Sequence, residues 1–229
     1  MSQKFSIVTP SYNQGQFLPF NLVSVREQTH PDIEHIVVDP GSTDGSRETA
    51  EAADGIILIA EPDRGQSDGI TKGFARATGD YMTWLNSDDF YPDPQILEKV
   101  AAAFEQNPDA DIIYGKVEFV DEEGKFLRNG YVNPNQDALL DSFAYQVGIV
   151  QPGVFMRRSV FEKIGGPSEQ YEYCMDYEYW VRMATSGLKW VYLDETLAHH
   201  RWWGGMKTSK GRDQSLVEHM RVCANYFGY

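Results

Sequence analysis

Apolar and polar residues follow two alternating patterns along the first half of the chain. Residues 4–9 form a short apolar run ended by Pro10, which predicts a buried strand. Asn13-Gln14-Gly15 supplies a loop, and Phe17, Phe20, Val23 and Val25 recur at helical spacing, predicting a helix over 16–28 with Pro19 in its first turn. The strand signature returns at 34–39, followed by the turn-rich Pro-Gly-Ser-Thr-Asp-Gly, a helix over 46–53 and a strand over 55–60. Strand, helix, strand, helix, strand is the order of a parallel α/β sheet. A helix over 66–77, a strand over 80–85, a helix over 94–106 and a strand over 110–120 extend it. Asp121-Glu-Glu-Gly124 then turns a hairpin into 125–129, so strict alternation ends. Residues 130–150 carry the weakest pattern and are expected to be mobile. A helix over 174–185 follows, with Trp180, Val181 and Met183-Ala184 on its apolar side.

Composition narrows the class. With 229 residues, 41% of them hydrophobic and 24% charged, the chain can fill one large domain, 1–229, and is not intrinsically disordered. A net charge of −14 repels a phosphate backbone, so no nucleic-acid partner is expected. The charge is uneven. Residues 199–229 hold Arg201, Lys207, Lys210, Arg212 and Arg221 against Asp213 and Glu218, leaving +3 there and −17 elsewhere. Such a basic tail suits anionic phosphates or lipid headgroups, and an acidic body suits divalent cations. Cys174 and Cys223 form no CxxC pair, which points to a reducing cytosol without structural zinc. The N-terminal apolar run is too short for a signal peptide, and no stretch reaches the ~20 apolar residues of a membrane span, so any membrane contact is expected to be peripheral.

In parallel sheets, ligands sit beyond the carboxyl ends of the strands, which singles out the loops after Thr9, Asp39, Ala60 and Leu85. Asn86-Ser87-Asp88-Asp89 puts a carboxylate doublet directly after a buried strand, where a hard divalent cation would relieve it. An Asx turn capping the next helix is the alternative. Asp39 and the Gly41-Ser-Thr-Asp-Gly45 loop offer backbone donors to an anion or polar ring, or form a plain turn with Asp44 as helix cap. Asp63-Arg64-Gly-Gln-Ser-Asp68 brings a cation to a third loop, or closes an internal salt bridge. Asp176 opens its helix between Met175, Tyr177 and Tyr179; it serves as a cap, or as a base whose pKa apolar neighbours raise. His199-His-Arg-Trp-Trp-Gly-Gly-Met-Lys-Thr208 suits a flexible loop closing over a phosphorylated ligand, and strand alternation lets one of its two histidines face a site.

Together these segments resemble family-two inverting glycosyltransferases of the GT-A fold, of the kind that build bacterial surface polysaccharides. The resemblance runs from residue 4 to about 210, through Ser6-Ile-Val-Thr-Pro-Ser-Tyr-Asn13, Val37-Val-Asp-Pro-Gly-Ser-Thr-Asp-Gly-Ser46, Glu61-Pro-Asp-Arg-Gly-Gln-Ser-Asp68, Trp84-Leu-Asn-Ser-Asp-Asp89 and Met175-Asp-Tyr-Glu-Tyr-Trp-Val-Arg182. It implies a Rossmann-like, mostly parallel sheet flanked by helices, with a nucleotide-sugar half at 1–120, a smaller acceptor-side half at 121–198 and the basic tail. By the same resemblance Thr9, Pro10, Tyr12 and Asp39 surround the base and ribose of a UDP-linked donor, with Arg64, Asp68, Lys72, Asn86 and Ser87 beside them. Asp88, with Asp89 or His200, would hold Mn²⁺ or Mg²⁺ at the family's DXD position, and Asp176 would be the base that activates the acceptor. Gln151, Pro152, Met175 and Trp203 would line the acceptor side, and a saccharide or lipid-linked acceptor would place the enzyme in the cytoplasm, peripheral to the inner membrane face.

The chain departs from the family's pattern in three places: Asn86 replaces the first acid of the DXD motif, Met175 precedes the base where Glu is usual, and Trp203 stands where relatives carry a histidine. The first two losses are the support for a non-catalytic binding module. A sugar nucleotidyltransferase would want a Gly-rich basic loop after the first strand, which Pro10-Ser-Tyr-Asn13 is not.

Overall fold

The computed structural model describes residues 3–135, 138–144, 147–207 and 211–228. Strands β1 (Phe5–Pro10), β2 (Ile33–Val38), β3 (Ile56–Ile59) and β4 (Tyr81–Trp84) alternate with helices α1 (Leu18–Arg26), α2 (Ser46–Ala52) and α3 (Gln66–Arg76). Then come α4 (Ile96–Gln106), β5 (Ile112–Val120), β6 (Phe126–Asn129), α5 (Leu139–Phe143), a 3₁₀ turn (Gln151–Gly153), β7 (Val154–Arg157), α6 (Arg158–Ile164), α7 (Met175–Thr185), β8 (Trp190–Arg201) and α8 (Arg212–Phe227). The sheet runs β3-β2-β1-β4-β7-β5-β6, and β8 pairs with β5. The pairs β3/β2, β2/β1 and β1/β4 are parallel, as expected; β8, not predicted from the sequence, is parallel to β5, and β7 is antiparallel to both of its neighbours. Strand order reverses at β1, because β2 and β3 lie on one side of it and β4 on the other. That reversal opens a crevice at the carboxyl ends of β1 and β4.

Period-two alternation gives each sheet face its own core. On one face Val8, Met82 and Trp84 meet Ile70 and Phe74 of α3 and Trp180 of α7, and the Trp84 and Trp180 rings stack at 5.2 Å. On the other, Phe5, Ile7 and Tyr81 meet Leu97, Val100 and Phe104 of α4. Gly73 is what lets α3 lie directly on β1, since a Cβ there would stand 2.3 Å from a Val8 methyl.

Several expectations change. Helix α1 is shorter than predicted and turns Leu18, Asn21, Leu22 and Val25 inward, leaving Phe20 and Val23 exposed. The segment expected to be mobile contains α5, whose Leu139 and Phe143 are fully packed, and the Tyr177 hydroxyl donates to the Phe143 carbonyl at 2.5 Å. Residues 136, 137, 145 and 146 of that segment lie outside the described residues. The basic tail is regular structure: residues 199–201 finish β8, and α8 packs Val222 into the core. The Glu218 carboxylate on α8 accepts the backbone N–H groups of Glu172, Tyr173 and Cys174 at 2.7–2.9 Å, fixing the approach to α7. Thr208 and Lys210, assigned to the same tail, lie outside the described residues. Among the described residues no helix is long and apolar enough to cross a membrane.

Two buried groups tie stability to pH. Burial lowers the His35 pKa from 6.5 to about 3. Burial would raise Glu34, but hydrogen bonds from Lys4, Ser6 and Thr78 hold it at about 2 against an ordinary 4.5. The unfolded chain therefore takes up a proton at His35 first, below pH 6.5, and one at Glu34 below 4.5, so each contribution is full at neutral pH and declines on acidification. Urea unfolding across pH 7 to 4 is expected to show stability falling from about pH 6.5, with His35→Gln reducing that upper part of the slope, to which His199 and His219, also lowered by burial, add the rest. An unchanged slope in the variant would assign the acid sensitivity to another group.

Candidate active site

The crevice at the strand ends is a cleft of about 660 Å³. Its first wall is the β1 loop, with Pro10, Ser11, Tyr12 and Gln14, together with Val38 and Pro40 at the end of β2. Thr9 lies beneath this wall, its Oγ1 2.8 Å from His35 Nε2 and 3.2 Å from Asn21 Oδ1. Asp39 is fully buried; its Oδ1 accepts the backbone N–H groups of Gly41 and Ser42, at 2.9 and 2.7 Å, and its Oδ2 has no partner among the described residues. Ser11 Oγ and Gln14 Oε1 are likewise buried without a partner among them. A hydrogen-bonding ligand would satisfy such groups, which are costly to leave unpaired.

The structure does not bring Arg64, Asp68 and Lys72 into the cleft lining. Asp68 is buried and takes hydrogen bonds from the Arg64 backbone and guanidinium, while Lys72 Nζ sits 3.2 Å from Asp68 and donates to the Pro62 carbonyl at 2.6 Å. An internal salt bridge, the alternative for that loop, describes this arrangement. Arg64, 72% exposed, extends toward Glu169. Asp63, Gly65 and Gln66 supply the lining instead.

At the end of β4 the Asn86 side chain accepts from Gln66 Nε2 and donates to Gln151 Oε1, both at 2.9 Å, and Gln151 Nε2 donates to the Trp84 carbonyl at 2.7 Å. Asn86 thus joins three loops, a role an acid could not fill in the same way because it has no donor. Ser87 and Asp88 also line the cleft, while Pro152, in the 3₁₀ turn beside Gln151, is buried and outside the lining. Burial, then the adjacent Asp89, pushes the Asp88 carboxyl up to about 6, opposed by the Trp203 indole N–H, which donates to Asp88 Oδ2 at 2.9 Å. Asp89 faces away: with no exposed surface, its Oδ1 accepts the Arg201 backbone N–H at 3.0 Å and sits 3.1 Å from His200 Nδ1. Strand alternation sends His199 to Glu118 and His200 into the cleft. Burial disfavours protonated His200, but Asp89 and Asp88 raise its pKa overall.

The opposite wall is the start of α7. Met175 receives a hydrogen bond from Ser67 Oγ at 3.0 Å on its sulfur, and Asp176, the second residue of the helix, faces the cleft. Burial raises the Asp176 pKa, opposed by the Tyr177 backbone N–H at 2.8 Å and by the charges of His200 and Lys207. Glu172, Tyr173, Met206 and Lys207 complete this side. The sequence alone does not single out Gln14, Gln66, Glu172 or Tyr173; for Gln66 the available signal is its place at a helix start on a carboxyl-end loop.

Two tail residues do something other than cover a ligand. Arg201 is 2% exposed, and its guanidinium donates to the carbonyls of Asp88 at 3.0 Å, Asp121 at 3.2 Å and Glu122, with Phe17 and Phe90 packed against it. It is a buried brace outside the cleft lining. Gly205 approaches the Trp203 ring so closely that a Cβ would stand 1.9 Å from it, so glycine here serves contact and not looseness.

Among the described residues no three His, Cys, Asp or Glu side chains form a ready metal set. Asp88 and His200 nevertheless face the cleft in front of Asp89, and a carboxylate with a raised pKa beside a second carboxylate fits a hard divalent cation completed by diphosphate and water oxygens.

Comparison with known proteins gives the family and the fold. The glycosyl transferase family 2 model matches residues 6–165, and the chain belongs to that family. It is 28% identical over 211 residues to a PGL/p-HBAD biosynthesis glycosyltransferase of Mycobacterium bovis, covering 90% of this chain and 79% of that protein. It is 31% identical over 172 residues to an uncharacterized glycosyltransferase of Nostoc sp., covering 70% of this chain and 53% of the relative. In fold it resembles S. aureus TarS 1–349 in complex with UDP-GlcNAc, with a TM-score of 0.76 at 19% identity, covering 97% of this chain and 66% of that one. It also resembles a Pyrobaculum calidifontis mannosyltransferase in complex with GDP-Man and Mn²⁺, with a TM-score of 0.70 at 18% identity, covering 98% and 65%. The chain spans only 39% of the longer TarS structure. The fold is GT-A, as the motifs implied.

Arg201 offers a direct test of its bracing role. Arg201→Ala removes the buried guanidinium that holds three part-buried carbonyls, and a loss of about 1–3 kcal/mol of stability is expected in urea unfolding. Full stability with weakened nucleotide binding would return Arg201 to the ligand.

Proposed function

We propose that the chain catalyses inverting transfer of a sugar from a nucleotide-diphosphate donor, UDP-linked, to a hydroxyl of a saccharide or lipid-linked acceptor. The observation that carries this reading is the convergence of two acids of different character on one cleft: Asp88 beside a second carboxylate, and Asp176 with its pKa raised by burial, facing His200 and Lys207. The UDP-GlcNAc complex of TarS supports the donor class.

Asp39 Oδ2, with Ser11 Oγ and Gln14 Oε1 nearby in the β1 and β2 loops, would take up the hydrogen-bonding edge of the base and the ribose. Mn²⁺ or Mg²⁺ held by Asp88, with His200 alongside, would neutralise the diphosphate as it leaves. Lys207 lies on the same cleft and adds positive charge there. Asp176 would take the proton of the acceptor hydroxyl as its oxygen attacks the anomeric carbon opposite the diphosphate. One displacement forms the new C–O bond and breaks the old one, so configuration inverts. A lipid-linked acceptor would bring the protein to the cytoplasmic membrane face.

Asp176→Asn keeps the side-chain shape and removes the proton acceptor. Transfer is expected to fall about 10²–10⁴-fold with UDP affinity unchanged by calorimetry, and near-full transfer would reduce Asp176 to a helix-start residue. In the unmutated enzyme the raised Asp176 pKa predicts that turnover falls, on acidification, at a pH above the ordinary carboxylate value of 3.8. Asp88→Asn is expected to abolish the gain in donor affinity that Mn²⁺ gives; a variant that keeps the gain would move the cation to other ligands.

A further inference from the structure

A row of side chains leaves the cleft across the sheet. His200 on β8 is in register with Phe119 on β5, and Phe119 with Arg128 on β6, so the three share one face over about 10 Å, two strand spacings. Ring contacts run along the row: Phe119 meets His200 edge to face at 5.0 Å, and the Arg128 guanidinium lies 3.7 Å above the Phe119 ring. Trp202, 47% exposed, closes it, 5.9 Å from Phe119 and 5.7 Å from Arg128. The Trp202 backbone N–H donates to the Val120 carbonyl at 2.7 Å, which anchors this residue at the end of β8. Among the described residues, no hydrogen bond or ion pair engages the Arg128 guanidinium or the Trp202 indole N–H.

An arginine stacked on an aromatic ring keeps its in-plane donors pointing outward, and an exposed indole beside it suits the C–H face of a pyranose. The Arg128 guanidinium carries one charge. Asp121, Glu122 and Glu123 occupy the neighbouring turn, which disfavours a ligand of several negative charges. We propose that this shelf binds the acceptor, and that the acceptor is an acidic saccharide: its reacting sugar lies at Asp176 and His200, the next ring lies on Trp202, and a uronic-acid carboxylate pairs with Arg128. The assignment rests on the transferase reading above.

The test uses the full chain, with calorimetry against a disaccharide ending in glucuronic acid, its neutral glucose counterpart, and glucose 1-phosphate, and with UDP titrated into the same samples. The glucuronate disaccharide is expected to bind at least about tenfold more tightly than the neutral one. Arg128→Gln should erase that difference, Arg128→Lys should restore part of it, and Trp202→Ala should weaken both disaccharides. UDP affinity should stay unchanged in all three variants. Equal binding of the acidic and neutral disaccharides, indifference to Arg128→Gln, or tighter binding of glucose 1-phosphate would overturn the proposal. UDP binding without glucuronate binding removes the shelf alone; glucuronate binding that depends on Arg128, without UDP binding, removes the transferase reading and leaves an acidic-saccharide site.

Discussion

The carboxylate of Asp89 holds the two halves of the molecule together at the point where chemistry is expected. It has no exposed surface, yet it satisfies the Arg201 backbone N–H and the His200 imidazole from a strand more than a hundred residues away. Breaking such a buried polar connection is costly because each partner would be left without water or a replacement. The Arg201 guanidinium crosses back to the Asp88 carbonyl, so the β4 loop and the end of β8 are tied in both directions. Asp88 keeps its position in the cleft because its neighbour makes these bonds.

A second tie fixes the opposite wall. Glu218 on α8 gathers three consecutive backbone N–H groups ahead of α7, and so sets where that helix begins and where Asp176 stands. The C-terminal helix therefore acts on the site at a distance, through the backbone. Both walls depend on residues from the last third of the chain, although most of the family's motifs lie in the first.

The first half is legible in the sequence because its signals are local. Apolar runs ended by Pro10 or by the Gly-rich turn after Asp39 mark β1 and β2, and loop position alone places Pro10, Tyr12, Asn86 and Asp88 on a common edge. What stays hidden depends on distant partners. Strand β8 has a mixed pattern of partly buried residues and gains its stability by pairing along the whole of β5. The charge of Arg201 reads as a surface feature, and only the carbonyls of Asp88, Asp121 and Glu122 converging on it make it a brace. The resemblance puts Lys72 and Asp68 beside the donor, but four residues apart on α3 they engage each other.

The contact between Asp88 and the Trp203 indole joins residues 115 positions apart. A ribosome adding about 5–20 residues per second needs roughly 6–23 s to make the intervening chain. Throughout that interval Asp88 and Asp89 stand next to each other without the strand that later separates their roles. Strands β1 to β4 can form early, but the paired acids reach their final arrangement only when β8 inserts beside β5. Chains released before that point would hold the family's motifs without the arrangement of the candidate site.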